Sequence, residues 1–365
     1  GNSSTVEIND NAYLYTMNNL FLGRYSTGEG KLIINGGKMY LDQDGGAGYG
    51  VLVVGGEGKG EFTINGGELS MKEYIRLSNS SSADGVVNLN GGLVQTRGIH
   101  QYAGGDGNWG SGQINFNGGT LKAQDNAYTN LINNAPVAIL TNGGTIDTNG
   151  QDLRVNSTVS GVGTLTKTGA GLLAFSQSNT MTGDINVLQG GIVAANENAL
   201  GTGTVLLNTG TTLDSSVTGA NMGALSVSGG SVSFNGTDVG QYNLSGDLVV
   251  DGGTFYINIA STANFDKFVG DASNVFSLSN LLIDLSGSTI DYSSTYWILE
   301  GFLSGDVDQG TLSIIGYDTT NWLAHLDNNG VLSFTQKIPE PAAAGLLGLL
   351  ALAAVMRRKK RWVVL

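Results

Sequence analysis

The residues best equipped for chemistry in this 365-residue chain lie in one glycine-rich stretch, GIHQYAGGDGNWGSG, residues 98 to 112. His100, Tyr102, Asp106 and Trp109 bring an imidazole, two aromatic faces and a carboxylate close in sequence. Such groups grip a sugar through ring stacking and directed hydrogen bonds. The competing reading is aromatic packing over the edge of a core. Asp42 with Asp44, and Asp306 with Asp308, are carboxylate pairs two residues apart. Calcium takes about six to eight oxygens, and neither stretch spaces enough of them, so both pairs read as turns. GGAGYG and GGEGKG lack the Lys-Ser/Thr ending of a phosphate loop and the strand-to-helix setting of a dinucleotide site. With no Cys and only His100 and His325, the chain has no thiol nucleophile, thiolate metal site or disulfide, and no nucleophile-elbow sequence. No metal and no cofactor are expected.

The elements that must position these groups are legible as a repeat. LIINGGKMYL, FTINGGELSM, VNLNGGLVQT, INFNGGTLKA and AILTNGGTIDT share an Asn-Gly-Gly centred on Asn35, Asn65, Asn90, Asn117 and Asn142, at spacings of 30, 25, 27 and 25 residues. Periods of this size mark stacked supersecondary units. Three residues before each Asn stand Leu32, Phe62, Val87, Ile114 and Ile139; four after stand Met39, Leu69, Val94, Leu121 and Ile146. All are apolar. Two further units centre on Ser228, with Leu225 and Val232, and on Asp251, with Leu248 and Phe255. Each unit reads as two alternating strands joined at a Gly-Gly bend, with a third strand such as VLVVGG in between. Three strands in some 25 residues describe one coil of a parallel β-helix, with apolar columns stacked at ~4.8 Å. Repeated Asn at one corner predicts a hydrogen-bonded ladder.

Seven residues past each Asn lies a polar column, Asp42, Lys72, Arg97, Gln124 and Asn149. It suits the floor of a sugar groove, where a glycan-cleaving β-helix gathers two or more carboxylates from successive coils. Mixed charges at a solvated corner are the alternative, and the polar corners every β-helix needs favour it. Composition agrees with the solenoid. There are 58 Gly, 3 Pro, 13% charged and 40% apolar residues, which suits β structure with many tight turns. Net charge is −13, and about −17 once the basic C-terminal cluster and Glu340 are set aside, which disfavours nucleic acid as a partner. The start, GNSSTVEIND, has no leader-like segment and reads as a processed or trimmed end.

A second signature occupies residues 161 to 208, GVGTLTKTGAGLLAFSQSNTMTGDINVLQGGIVAANENALGTGTVLLN. Gly161, Gly163, Leu165, Lys167, Gly169, Gly171, Leu173, Phe175, Asn179, Thr180, Thr182, Gly183 and Val187 resemble the autotransporter-associated β-strand repeat, with Met181 in place of the usual aromatic. The resemblance implies a right-handed parallel β-helix in an exported bacterial protein. Residues 1–160 are then Asn-Gly-Gly coils and 161–259 a continuation of the same helix. From 260 to 336 the rhythm fades into longer runs containing Trp and Phe, as in a β-rich cap that covers an otherwise open solenoid end.

Residues 337–365 form a tail of different character, IPEPAAAGLLGLLALAAVMRRKKRW and its last three residues. The apolar run from Ala342 to Met356 would be about 22 Å long as a helix, short of the ~30 Å of a bilayer core. Pro339, Glu340 and Pro341, the apolar run and the cluster Arg357, Arg358, Lys359, Lys360 and Arg361 together resemble the PEP-CTERM sorting signal. The basic cluster orients the tail with its C-terminus in the cytoplasm. The resemblance implies transient insertion in the inner membrane, an exosortase-type membrane protease as partner, and delivery to the envelope, cell surface or exterior. A plain membrane anchor is the alternative. The expected protein is a structural or adhesive surface or matrix rod, without enzymatic activity. A polysaccharide-active enzyme or glycan-binding module, with extracellular polysaccharide or surface proteins as partners, is the second reading.

Overall fold

The computed structural model describes residues 3–42, 50–103, 109–236 and 238–338, and among them every regular element is a strand. They wind into a parallel β-helix with three faces. The first face opens with eight parallel strands, from Ser3–Ile8 through Lys59–Ile64 and Asp84–Leu89 to Thr180–Met181. It resumes as four strands from Gly219–Met222 to Leu299–Glu300. Between the two sets the chain passes through Ala199 and Leu200, both fully buried. The second and third faces count as one sheet because Leu248–Tyr256 and Val275–Asp284 run around their shared corner, pairing with strands of both.

The apolar columns are those the repeat predicts. Leu32, Phe62, Val87 and Ile114 stack in register on the first face, Met39, Leu69, Val94, Leu121 and Ile146 on the second, and all are buried. Leu225 stacks on Leu248 and Val232 on Phe255, all buried, but on the second and third faces, so the units at Ser228 and Asp251 turn a different corner from the Asn-Gly-Gly coils. One column differs from expectation. Ile139 is buried but stacks on Phe116, while Val137 takes the place above Ile114. Leu121 and Ile146 remain paired on the second face, so the corner holding Asn142 is two residues longer than the corner holding Asn117. Identical spacing from the Asn therefore misplaces the first-face strand of that coil.

The Asn ladder runs from Asn9 to Asn90. Asn35 Nδ2 donates to Asn9 Oδ1 at 2.7 Å, Asn65 to Asn35 at 2.8 Å, and Asn90 to Asn65 at 2.9 Å. Gly67 and Gly92 turn these corners with φ of 79° and 64°, values that glycine adopts freely. At the longer corner only the Asn142 backbone N–H reaches Asn117 Oδ1, at 3.4 Å. Asn65→Ala removes one donated and one accepted ladder bond, and should lower stability by about 1–2 kcal/mol. Urea unfolding against Asn142→Ala, which leaves the side-chain ladder intact, checks it: equal losses would mean the ladder contributes nothing.

The stretch 260–336 carries both coils and a cap. Lys267–Val269, Val275–Asp284, Ser304–Val307 and Ser313–Ile315 continue the parallel stack. Tyr296–Trp297, Val331–Gln336 and Trp322–Leu326 then form an antiparallel sheet of three strands. Tyr292 stacks on Trp322 with centroids 5.0 Å apart, and Phe334 packs edge-on to Tyr292 and Tyr296. The sorting-tail residues Pro339, Glu340, Pro341 and Arg357 to Arg361, with the expected short helix, lie outside the described residues. Among those described, no helix is long and apolar enough to cross a membrane.

Candidate functional site

On the third face, Leu52–Val54, Ile75–Leu77, Ile99–Gln101 and Asn130–Asn133 stack so that Val53, Arg76, His100 and Asn133 form one outward column. Alternation dictates this: Ile75 and Leu77, like Ile99, point inward and are fully buried, so the residue between them points out. His100 nevertheless is only 5% exposed, because aromatic rings enclose it. Its centroid lies 5.8 Å from Tyr74, 5.9 Å from Tyr102 and 5.0 Å from Tyr128.

Both imidazole nitrogens are engaged. Nε2 stands 2.6 Å from the Asn130 carbonyl, which only accepts, so Nε2 carries the proton. Nδ1, 3.0 Å from the Tyr102 hydroxyl, then accepts from it. Burial pushes the His100 pKa down and outweighs the upward pull of the Asn130 carbonyl, while nearby Arg97 also lowers it. Burial likewise raises the Tyr102 and Tyr128 phenols. His100 is thus a neutral structural hub with no lone pair free to act as a base.

The arginines flank this hub in two different states. Arg97 Nη1 donates to both oxygens of Glu73 at 3.2 Å, its Nε donates to the Asn126 carbonyl at 3.1 Å, and its guanidinium lies 4.2 Å from the Tyr128 centroid. Arg76 lies 5.1 Å from the Tyr102 centroid, and its Nε is buried with no partner.

The sequence-based site residues separate accordingly. His100 and Tyr102 come together; Trp109 is 51% exposed and makes no ring pair with the cluster among the described residues; Asp106 lies outside them. Tyr74, Arg76, Arg97 and Tyr128 complete the cluster. Arg76 pairs with His100 in register, so carrying the repeat alignment past the second strand into the third would have found it.

The polar corner column resolves into local pairs. Lys72 meets Asp42 at 2.5 Å, Gln124 Nε2 donates to the Met71 carbonyl at 2.8 Å, and Asn149 Nδ2 to Asp125 at 2.9 Å. Asp308 closes its own turn by accepting from Gly310 N and the Thr311 hydroxyl. Among the described residues no group of three or more His, Asp or Glu is placed to hold a metal ion.

One buried carboxylate lies elsewhere. Asp266, 1% exposed, accepts from Gly240 N and Asn258 N, both at 2.7 Å, beside a pocket of about 270 Å³ that Tyr256 and Asp284 also line. Burial raises its pKa to about 7 against the pull of those two N–H groups. Asp271, Asp291 and Asp318 shift the other way, each chiefly through a side-chain hydrogen bond within its own exposed turn. The pocket thus carries two carboxylates, Asp266 held by two backbone N–H groups and Asp284 accepting from Ser286 N.

No protein-family profile and no curated protein matches this chain.

Proposed function

We propose that this chain is an exported rod of the cell surface or extracellular matrix, acting by display and not by turnover. The observation that carries the reading is the pairing of surface charges on neighbouring coils with one another along the stack, Lys31 with Glu61 at 2.7 Å, Lys38 with Glu68 at 3.0 Å and Lys72 with Asp42 at 2.5 Å. Charges spent on each other make a soluble, uniform wall, and exposed pairs of this kind add little stability. Sorting through the C-terminal tail, by an exosortase-type protease acting near Pro339, Glu340 and Pro341, belongs to the same proposal. It rests on the three-part sequence signal. A glycan-binding module is the second reading, favoured by the tyrosine cluster around His100.

The purified body, incubated with a panel of polysaccharides, should release no reducing ends; robust cleavage of any of them would sink the display reading. In the same programme, intact mass of envelope-associated protein should show loss of everything after the Pro-Glu-Pro stretch. A full-length mass in mature envelope would instead favour a plain anchor.

A further inference from the structure

Arg76 is the cation whose placement the rod does not explain. Most other basic side chains of these coils pair with a carboxylate of an adjacent coil, Lys31, Lys38, Lys59 and Lys72 and also Arg97 with Glu73, while Arg24 lies exposed over Phe21 and Tyr25. Arg76 makes no ion pair and no hydrogen bond among the described residues, and its Nε is buried without a partner. Its one specific contact is the Tyr102 ring, whose centroid lies 5.1 Å from the guanidinium carbon and which takes none of the N–H donors in a hydrogen bond. Only Nε is buried without a partner, so the two Nη groups are the donors that reach the surface without a protein acceptor and the ones a ligand can take.

The surroundings state what that ligand is. A guanidinium fork matches a carboxylate in two parallel hydrogen bonds. Tyr74, half-buried beside it, packs against both His100 and Tyr102 and presents a rigid aromatic surface of the kind on which the C–H face of a sugar stacks. His100 holds Tyr102 through its hydroxyl and is kept neutral by burial, so the charge of Arg76 is the uncompensated one here. The neighbouring carboxylate, Glu73, already belongs to Arg97.

We infer that Arg76, with Tyr74 and Tyr102, is a binding site on the third face for a carboxylate-bearing sugar, a hexuronate unit of an acidic polysaccharide. The inference deepens the glycan-binding reading by naming its surface and ligand class, and the display of a rod stands or falls separately, on the absence of turnover. The long-range field of an acidic chain opposes this ligand, so the site works by contact, at an ionic strength where charges more than about 8 Å away are screened.

The test is binding of oligogalacturonate and oligomannuronate, with neutral oligogalactan alongside, to the full chain at about 0.15 M salt. Wild type should bind at least one acidic oligomer and not the neutral one. Arg76→Gln should weaken that binding by on the order of tenfold or more. Arg154→Gln, which removes the same charge from an exposed position on the same face, should leave it unchanged. Equal losses in the two variants, equal binding of the neutral oligomer, or no binding of either acidic oligomer would overturn the site. Tyr102→Phe keeps the ring under Arg76 and should retain most of the affinity, whereas Tyr74→Ala should lose it at a temperature where its circular dichroism shows the rod still folded.

Discussion

Gly60→Val should be among the most damaging single substitutions in the rod, lowering stability by about 3–5 kcal/mol. Gly30, Gly60, Gly85 and Gly112 stack in register at inward positions of the first face. At each of them the strand begins its coil against the end of the preceding third-face strand. A Cβ on Gly60 would overlap the backbone N of Gly55 and come within 2.8 Å of the Val54 carbonyl carbon and 2.9 Å of the Leu22 oxygen. These are backbone atoms held by ladder hydrogen bonds, so they cannot turn aside as a side chain would. Separating them strains the bonds of Leu52–Val54 to both neighbours. In a solenoid such damage passes to adjacent coils, because each is stabilised chiefly by its neighbours. Gly210→Ala is the control: nothing lies within 4 Å of its Cβ, and its φ of 75° alone should cost about 1–2 kcal/mol. Urea midpoints that fall equally for the two variants would remove the close-approach explanation.

The second large effect belongs to Lys167, which lies in the core column between Ile146 and Val187 and is fully buried. Its ammonium donates to the carbonyls of Thr168 at 2.8 Å, Gly169 at 2.7 Å and Gln189 at 3.1 Å, and to the Thr148 hydroxyl at 3.1 Å. Burial lowers its pKa to about 8, against the upward pull of Asp147 and Asp152. Because the folded value lies below the unfolded 10.5, the unfolded chain binds more protons between about 8 and 10.5. Stability therefore rises with pH through that window, and below about 8 the cost of the buried charge is present in full.

Lys167→Met should destabilise the fold at pH 7.5 by about 1–3 kcal/mol, since the Gly169 and Gln189 carbonyls lose their donor. The variant also lacks the rise. Its deficit relative to wild type should grow by about 1–3 kcal/mol between pH 8 and 10.5, after allowance for screening. Denaturant unfolding at both ends of the window checks the sign. A deficit that shrinks with rising pH would show that the ammonium is stabilised, not penalised, by its surroundings.

Legibility in the sequence followed the periodicity. The apolar columns were visible from Leu32 to Ile146 because alternation and coil length are properties of the chain itself, and each coil repeats the same burial problem. The Asn ladder was legible for the same reason: residues one period apart are neighbours in the stack. Where a corner changed length the rule failed, as at Asn142, since counting from the Asn cannot see two residues added within the turn. Lys167 was marked by its place in the repeat, but its alternation with Leu165 is that of any inward residue, and only the carbonyls of two coils explain a buried ammonium there.

The site was legible only in part. His100 and Tyr102 lie two residues apart in sequence, whereas Tyr74 and Tyr128 join them from the coils on either side. By itself the sequence determined the stacked β architecture and the residues that fill its core, because both follow from a local pattern repeated at a fixed period. Tertiary structure alone decided which cations are spent and which remain free. Arg97 and Arg76 are chemically the same side chain, and only the stacking of neighbouring coils gives one a carboxylate and leaves the other facing a ring.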